Sequence, residues 1–270
     1  MSEMRSRKCW PHLNNDLVMI NPLDLTGSVI MVTGASAGIG KSTSQLLSRL
    51  GARVVLVSRT PATLTATVET LEGDGHIIAP FDFNKPDEIE QWFKTLVHKT
   101  GPLNGLIHCA GAQLLRPLKL LSSMEIESLL RLNVTSGLIL AKAFRQKNHH
   151  ASPASIVFIS SAMGQVGAIG RSVYCASKAS VIGMTKALAL ELVSDGIRVN
   201  CVAPGFVVTG MLKEIENTLG EACFAEIRKM HPLGFGDPLD VANAVAFLLA
   251  NTSRWITGTT LFVDGGYTAQ

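Results

Sequence analysis

Seven short runs of apolar, largely β-branched residues alternate along this chain with longer stretches of helical character. This alternation predicts βαβ units, in which a helix crosses over between two parallel strands. A parallel sheet is buried on both faces, and a chain of 270 residues that is 47% hydrophobic can supply such a core. We therefore predict an α/β fold: one domain with a doubly wound parallel sheet of about seven strands and helices on both faces. The predicted strands are Val29–Thr33, Arg53–Val57, His76–Pro80, Leu103–Cys109, Ser155–Ser160, Ile197–Ala203 and Thr260–Val263.

No linker in the sequence is long enough to divide the chain into two domains. We predict an N-terminal extension at residues 1–24 and a single domain at residues 25–270. The region Leu212–Leu233 breaks the alternation, because it adds a helical insert where a short turn would suffice. The other predicted helices lie near Ile39–Leu50, Pro61–Leu71, Pro86–Lys99, Ser123–Lys147, Tyr174–Val193 and Leu239–Ala250.

Composition narrows the classes of function. The net charge is only +3 and no run of five like charges occurs, which argues against a nucleic-acid partner. No stretch approaches 18 consecutive apolar residues, so we expect no membrane partner. The five cysteines are odd in number and lack C-x-x-C spacing. They predict the reduced thiols of a cytoplasmic protein, and no metal site.

The first predicted strand runs directly into the glycine-rich segment Thr33–Gly40, after which helical character begins. Glycines there permit a tight turn and let backbone N–H groups approach a pyrophosphate at the positive end of the helix, as in a Rossmann fold. After the second strand an acid would accept hydrogen bonds from the ribose of NAD, but this chain has Ser58-Arg59. Because a guanidinium can pair with a 2′-phosphate, we predict NADP(H) as the cofactor. The alternative is a solvated surface arginine.

Tyr174 and Lys178 stand four residues apart in a segment that we expect to be helical. Residues at this spacing lie on one face of a helix, with Cβ atoms about 5–6 Å apart. The ammonium favours the ionised form of the neighbouring phenol, so the pair can donate a proton near neutral pH. The pattern alone also fits an ordinary surface pair, and the interpretation depends on the motifs around it.

Together these segments resemble the short-chain dehydrogenase/reductase family over roughly residues 24–268. The match includes the glycine motif, Asn133 in Leu132-Asn133-Val134, Ser161 thirteen positions before Tyr174, and Pro204-Gly205 after the sixth strand. The family's Asn-Asn-Ala-Gly sequence is His108-Cys109-Ala110-Gly111 in this chain, with both asparagines replaced. The resemblance implies that the catalytic residues are Asn133, Ser161, Tyr174 and Lys178. It implies that the cofactor is bound by Gly34, Ser36, Gly38, Ile39, Gly40, Ser58, Arg59, Asp82, Phe83, Ala110, Gly111, Tyr174, Lys178, Pro204, Gly205, Val207 and Thr209.

The implied reaction is reduction of a ketone. A carbonyl that receives hydride from nicotinamide develops alkoxide charge, and a donor aimed at that oxygen lowers the barrier. Tyr174 would give the proton and Ser161 a second hydrogen bond. Lys178 would hold the ribose hydroxyls of the nicotinamide half, and Asn133 would position a water that links Lys178 to solvent.

The stretch Pro232–Val241 resembles that of 3-oxoacyl-(acyl-carrier-protein) reductases, without their arginine. A 3-oxoacyl thioester is therefore one candidate substrate; a sugar, steroid or xenobiotic carbonyl is the alternative, and a non-catalytic NADP-binding regulator is a third hypothesis.

The helices Ser123–Lys147 and Tyr174–Val193 carry more apolar side chains than one sheet-facing stripe requires, and Thr260–Val263 would be an edge strand. Members of this family commonly associate through these two surfaces, so we expect a homotetramer.

Overall fold

Seven parallel strands form one sheet in the order β3-β2-β1-β4-β5-β6-β7. The computed structural model describes residues 21–269, apart from the side chains of residues 219, 222 and 223. Most of the predicted N-terminal extension, residues 1–20, lies outside the described residues. The strands are β1 Val29–Thr33, β2 Arg53–Val57, β3 Ile77–Ile78, β4 Leu103–His108, β5 His150–Ile159, β6 Ile197–Pro204 and β7 Thr260–Val263.

The chain builds outward from β1 to β3 and then returns to place β4 on the other side of β1. Loops that follow β1 and β4 therefore diverge to opposite faces, which opens a crevice at the carboxyl ends of these strands. Ligands of doubly wound folds bind in this crevice. The predicted parallel, doubly wound sheet is confirmed, with its seven strands.

Helices cover both faces of the sheet because alternate strand residues point to opposite sides. Met31 of β1 packs in one core with Phe93 and Phe144, whereas its neighbour Val32 packs in the other with Leu47. The first core lies under α3, α5 and α6, and the second under α1, α2 and α9. The helices are α1 Gly38–Arg49, α2 Pro61–Val68, α3 Ile89–Thr100, α4 Ser123–Leu130, α5 Ser136–Phe144, α6 Ser172–Glu191, α7 Gly210–Leu219, α8 Glu221–Lys229 and α9 Pro238–Leu249.

One helix and one strand depart furthest from their predicted bounds. The helix predicted at Ser123–Lys147 is divided into α4 and α5 by a π-helical turn at Arg131–Thr135. β5 starts at His150 instead of Ser155, because Leu103 of β4 pairs with His150 before the register shifts to Gly105 and Ser155. The sequence analysis did not predict this early start, because Pro153 interrupts the run of strand-forming residues.

The predicted helical insert consists of α7 and α8, which have a small core of their own. Leu212, Ile215 and Phe224 are buried together there, with Phe206 and Phe235 packed against them. This cluster follows β6 and therefore lies at the carboxyl end of the sheet, beside the crevice. Within residues 21–269, no helix is both long and apolar enough to cross a membrane.

Candidate active site

The glycine loop between β1 and α1 needs glycine at two positions for steric reasons. A Cβ on Gly40 would lie 2.2 Å from the Gly34 carbonyl oxygen, and a Cβ on Gly34 would lie 3.0 Å from the Ala110 nitrogen. Gly34 also has φ +67°, a conformation that glycine adopts without strain. The loop therefore closes tightly against the end of β4. α1 starts at Gly38, so the unpaired N–H groups of its first turn lie at the crevice, where an anion is favoured.

The predicted adenosine site lies beyond the ends of β2 and β3, which are neighbours in the sheet. Ser58 follows β2; its hydroxyl is buried and has no hydrogen-bond partner among the described residues. Arg59 is exposed next to it. The Asp82 carboxylate accepts hydrogen bonds from the backbone and side-chain amides of Asn84, at 3.1 and 2.9 Å. Phe83 is buried, and its ring packs against Trp92 and His108.

Tyr174 and Lys178 lie on the same face of α6, as their spacing predicts. The Lys178 ammonium is 5.8 Å from the centre of the Tyr174 ring and donates a 2.9 Å hydrogen bond to the Ile159 carbonyl at the end of β5. Lys178 is only 7% exposed. A buried ammonium with one carbonyl partner still has donors for further acceptors. This geometry suits a cation that could hold the hydroxyls of a ribose.

Asn133 is held at the centre of the π-helical turn by its amide. Its Oδ1 accepts a 2.9 Å hydrogen bond from the Ala112 nitrogen, and its Nδ2 donates to the Ala112 carbonyl at 2.9 Å and to the Ser177 hydroxyl at 3.0 Å. A Cβ on Gly111 would meet both Asn133 Oδ1, at 3.2 Å, and Lys178 Nζ, at 3.7 Å. Asn133 therefore ties the loop after β4 to α6, next to the Lys178 ammonium.

Ser161 closes the site from the loop after β5. Its Oγ accepts a 3.2 Å hydrogen bond from the Met163 nitrogen, which leaves its hydroxyl hydrogen available to the cleft. The loop packs closely on α6, because a Cβ on Gly164 would lie 2.9 Å from the Lys178 backbone. A cleft of about 130 Å³ brings many of the predicted residues together. Those in its wall are Ile39, Gly111, Ser161, Tyr174, Lys178, Pro204, Gly205, Val207 and Thr209.

Two residues near the site were missed by the sequence analysis. His108 is buried, and burial together with the nearby Lys178 charge lowers its pKa to about 3. Its ring joins the Thr33 hydroxyl, at 3.0 Å, to the Ser136 hydroxyl, at 3.2 Å. Thr33 accepts from the Ala110 nitrogen and Ser136 donates to the Leu132 carbonyl, so Nε2 carries the histidine hydrogen. His108 thus links β1, the loop after β4 and the π-helical turn.

The second missed residue is Arg171, which lies in the cleft wall and is buried. It precedes Tyr174 by three positions, and its Cζ atom is 5.9 Å from the centre of the tyrosine ring. The predicted helix begins at Tyr174, so the sequence analysis did not place Arg171 on the face that carries the tyrosine. Among the described residues, no group of three or more His, Cys, Asp or Glu side chains could hold a metal ion.

Comparisons with known proteins identify this combination of fold and site as that of a nicotinamide-dependent oxidoreductase. A family model described as enoyl-(acyl carrier protein) reductase matches residues 34–268. The 3-oxoacyl-(acyl-carrier-protein) reductase of Vibrio cholerae is 35% identical, over 90% of this chain and 98% of its own length. Carbonyl reductase family member 4 of Danio rerio is 39% identical, over 87% of this chain and 96% of its own.

Among solved structures, a variant of actinorhodin polyketide ketoreductase with NADPH superposes with a TM-score of 0.84. It is 29% identical, and the alignment covers 90% of this chain and 98% of that one. The chain belongs to the short-chain dehydrogenase/reductase family and is an oxidoreductase of that family. The predicted family is therefore confirmed.

Proposed function

We propose that this enzyme reduces a ketone to a secondary alcohol with NADPH, and that Tyr174 is the general acid. The observation that carries the proposal is the shared cleft of Ser161, Tyr174 and Lys178 beside the glycine loop. A phenol, a hydroxyl and a buried ammonium converge there from β5 and α6. This set of donors fits an oxygen that gains negative charge.

The chain's own residues supply the proton and the electrostatic support. The cofactor, when bound, supplies the hydride. Tyr174 donates its proton to the carbonyl oxygen while Ser161 donates a hydrogen bond to the same atom. Lys178 stabilises the phenolate that remains. Both hydrogens of the Asn133 amide already bind Ala112 and Ser177, so Oδ1 is the atom that would hold the predicted water near Lys178.

The preference for NADP(H) rests on the end of β2. No acid stands at Ser58-Arg59, and the Arg59 guanidinium is exposed at the position where a 2′-phosphate would lie. The buried and unpartnered Ser58 hydroxyl is a second donor beside it. A ribose 2′-phosphate accepts from both groups.

A 3-oxoacyl thioester is the substrate class that the curated relatives suggest, since the Vibrio cholerae protein is named for it. A sugar, steroid or xenobiotic carbonyl is the second candidate, favoured by the apolar cluster of the insert and by the missing arginine in Pro232–Val241. The Danio rerio relative is named only as a carbonyl reductase. A non-catalytic regulator would not need the complete set of Asn133, Ser161, Tyr174 and Lys178.

NADPH oxidation at 340 nm tests the proposed reaction. The panel contains acetoacetyl thioester, simple and cyclic ketones, keto sugars and a 2-enoyl thioester, because the matched family model is described as an enoyl reductase. We expect turnover of carbonyl substrates and none of the enoyl thioester. Reduction of the enoyl thioester alone, or of no compound while NADPH still binds, would contradict the proposal.

The proposal also includes a homotetrameric assembly and a cytoplasmic location. A homotetramer would cover the partly exposed apolar residues of α5 and α6, among them Leu138 and Leu190. Free thiols at Cys109, Cys175 and Cys201 agree with a reducing, cytoplasmic compartment.

A further inference from the structure

Arg171 is a buried cation with an unused donor. The residue is 5% exposed, and its Nη1 donates a 3.0 Å hydrogen bond to Oε1 of Gln113. Its Nη2 is buried without any hydrogen-bond partner among the described residues. Buried donors in folded proteins are nearly always paired, and an orphaned one costs more when it belongs to a charged group. Nη2 of Arg171 therefore lacks an acceptor among the described residues.

No negative charge in the described part of the chain compensates Arg171. The ion pairs found there involve other arginines and lysines, at distances up to 3.5 Å. The cleft wall contains no aspartate or glutamate, whereas it contains both Arg171 and Lys178. Burial lowers the pKa of Arg171, although nearby Tyr174, Cys175 and Tyr267 oppose this shift. A guanidinium stays protonated in proteins, so a buried one needs an anion to offset the loss of hydration.

The position of Arg171 relates this charge to the proposed reaction. Its Cζ atom lies 5.9 Å from the Tyr174 ring centre, and Arg171 is the N-cap residue of α6, the helix that carries Lys178. Arg171 also lines the same cleft as Ser161, Tyr174 and Lys178, so a group bound by its guanidinium would share the cleft with the proposed reaction.

We propose that Arg171 binds a carboxylate of the substrate, so that the enzyme reduces ketones that carry a carboxylate. The inference rests on the proposed ketone reduction and narrows its substrate class. It separates this enzyme from thioester reductases, because a thioester carbonyl is neutral and leaves the guanidinium charge uncompensated. A carboxylate instead matches the fork of a guanidinium and forms strong, charge-assisted hydrogen bonds.

The competing explanation is that Arg171 is only a structural latch. Gln113, its partner, donates a 3.1 Å hydrogen bond to the Met211 carbonyl in the first turn of α7. The chain Arg171–Gln113–Met211 thus connects α6 to the insert. A latch of this kind would affect all substrates equally, whereas a carboxylate site would discriminate between an acid and its ester.

Calorimetry on the enzyme–NADP+ complex tests the site without any need for turnover. The probes are lactate and 3-hydroxybutyrate, each compared with its methyl ester. We expect at least one acid to bind about tenfold more tightly than its ester, as a charge-assisted pair predicts. Arg171→Gln should remove this preference, measured as the ratio of acid affinity to ester affinity. Arg49→Gln, which removes an exposed arginine paired with Glu72, is the matched control and should keep the preference.

Gln113→Glu separates the two explanations. It places a carboxylate on Nη1 of Arg171, which neutralises a carboxylate site, and it removes the hydrogen bond that Gln113 donates to the Met211 carbonyl, which breaks a latch. We expect the acid preference to fall about tenfold, whereas loss of a latch alone would lower the binding of acids and esters alike. Equal binding of acids and esters by the wild type, or a preference that survives both variants, would overturn the inference.

NADPH turnover of pyruvate, acetoacetate and their methyl esters is measured in parallel. If esters are reduced and acids are not preferred, the ketone reduction is supported and the carboxylate site is contradicted. If acids bind but no compound is turned over, the carboxylate site is supported and the ketone reduction is contradicted.

Discussion

Two cations flank the Tyr174 ring at nearly equal distances, and they have different surroundings. Lys178 Nζ lies 5.8 Å from the ring centre and is bound to a backbone carbonyl, whereas Arg171 Cζ lies at 5.9 Å and keeps one donor unpaired. At the scale of single residues, the proposed mechanism therefore assigns proton chemistry to Tyr174 and Lys178. Arg171 is assigned to substrate selection.

Tyr174→Phe should abolish ketone reduction and leave NADPH binding nearly intact. The phenol supplies the proton in the transition state but contributes little to holding the dinucleotide. General acid catalysis typically contributes 10²–10⁴-fold, so we expect kcat below about a tenth of the wild-type value. Steady-state kinetics and NADPH fluorescence titration check this. A variant with near-normal kcat would remove Tyr174 from the mechanism.

Arg59→Asp should shift cofactor preference from NADPH towards NADH. The change removes the partner of the 2′-phosphate and introduces repulsion. A charge-assisted hydrogen bond contributes about 1.5–3 kcal/mol, so the ratio of kcat/KM for the two cofactors should change at least about tenfold. Arg49→Asp, an exposed arginine on α1, is the control and should leave the ratio unchanged. If the ratio of kcat/KM for NADPH and NADH is the same in the wild type and in Arg59→Asp, Arg59 is a solvated surface residue and does not bind the 2′-phosphate.

His108 should make the folded protein less stable in acid. Its pKa falls from 6.5 to about 3 on folding, mainly through burial, so the unfolded chain binds one more proton between these values. The free energy of unfolding therefore decreases as pH falls from about 6.5 towards 3, by up to about 1.4 kcal/mol per pH unit from this group. Above pH 6.5 both states hold the neutral ring and the contribution is constant.

His108→Asn should remove that part of the pH dependence. The slope is the change in the free energy of unfolding per pH unit, measured by urea unfolding at pH 5 and pH 7. This slope should be smaller for the variant than for the wild type. His98→Asn, at an exposed position on α3, should keep the wild-type slope. Identical slopes for wild type and His108→Asn would show that His108 is not held neutral by burial.

At the scale of elements, the close contact between the Ser161 loop and α6 constrains the site. Gly164→Ala would place a methyl group 2.9 Å from the Lys178 backbone, which cannot move without shifting α6. We expect a loss of about 1–3 kcal/mol of stability, as overpacking typically costs, and a kcat at least about tenfold lower because Ser161 is displaced. Gly167→Ala in the same loop meets nothing within 4 Å and is the control. Denaturation and kinetics compare the two; equal behaviour would refute the constraint.

The elements also show what sequence alone can predict. β1, β2 and β7 begin and end where the sequence analysis places them, because apolar, β-branched runs fit strands that are buried in a sheet. The π-helical turn was missed, since Asn133 makes long-range hydrogen bonds there, donating to the Ala112 carbonyl and to the Ser177 hydroxyl. Arg171 was missed because its burial depends on the fold. A lone arginine is usually exposed, and only the folded cleft shows that this one is buried.

At the scale of the whole molecule, the proposed homotetramer explains apolar surface that the single chain leaves uncovered. Leu190 of α6 is 80% exposed and Leu138 of α5 is 39% exposed, although both helices already bury another face in the core. β7 is the edge of the sheet, and an uncovered edge strand can pair with a second copy. Two separate surfaces of this kind produce dihedral symmetry in a homo-oligomer.

Light scattering at micromolar concentration should therefore give a mass near four times that of the 28.8 kDa chain. Leu190→Glu would place a charge in the helix interface and should reduce the particle to a dimer held by the β7 surface, because burying an unpaired carboxylate is strongly unfavourable. Leu118→Glu, at a leucine that is 76% exposed outside α5 and α6, should leave the mass unchanged. A wild-type mass near 28.8 kDa would exclude both tetramer and dimer. The exposure of Leu190 would then need another partner to account for it.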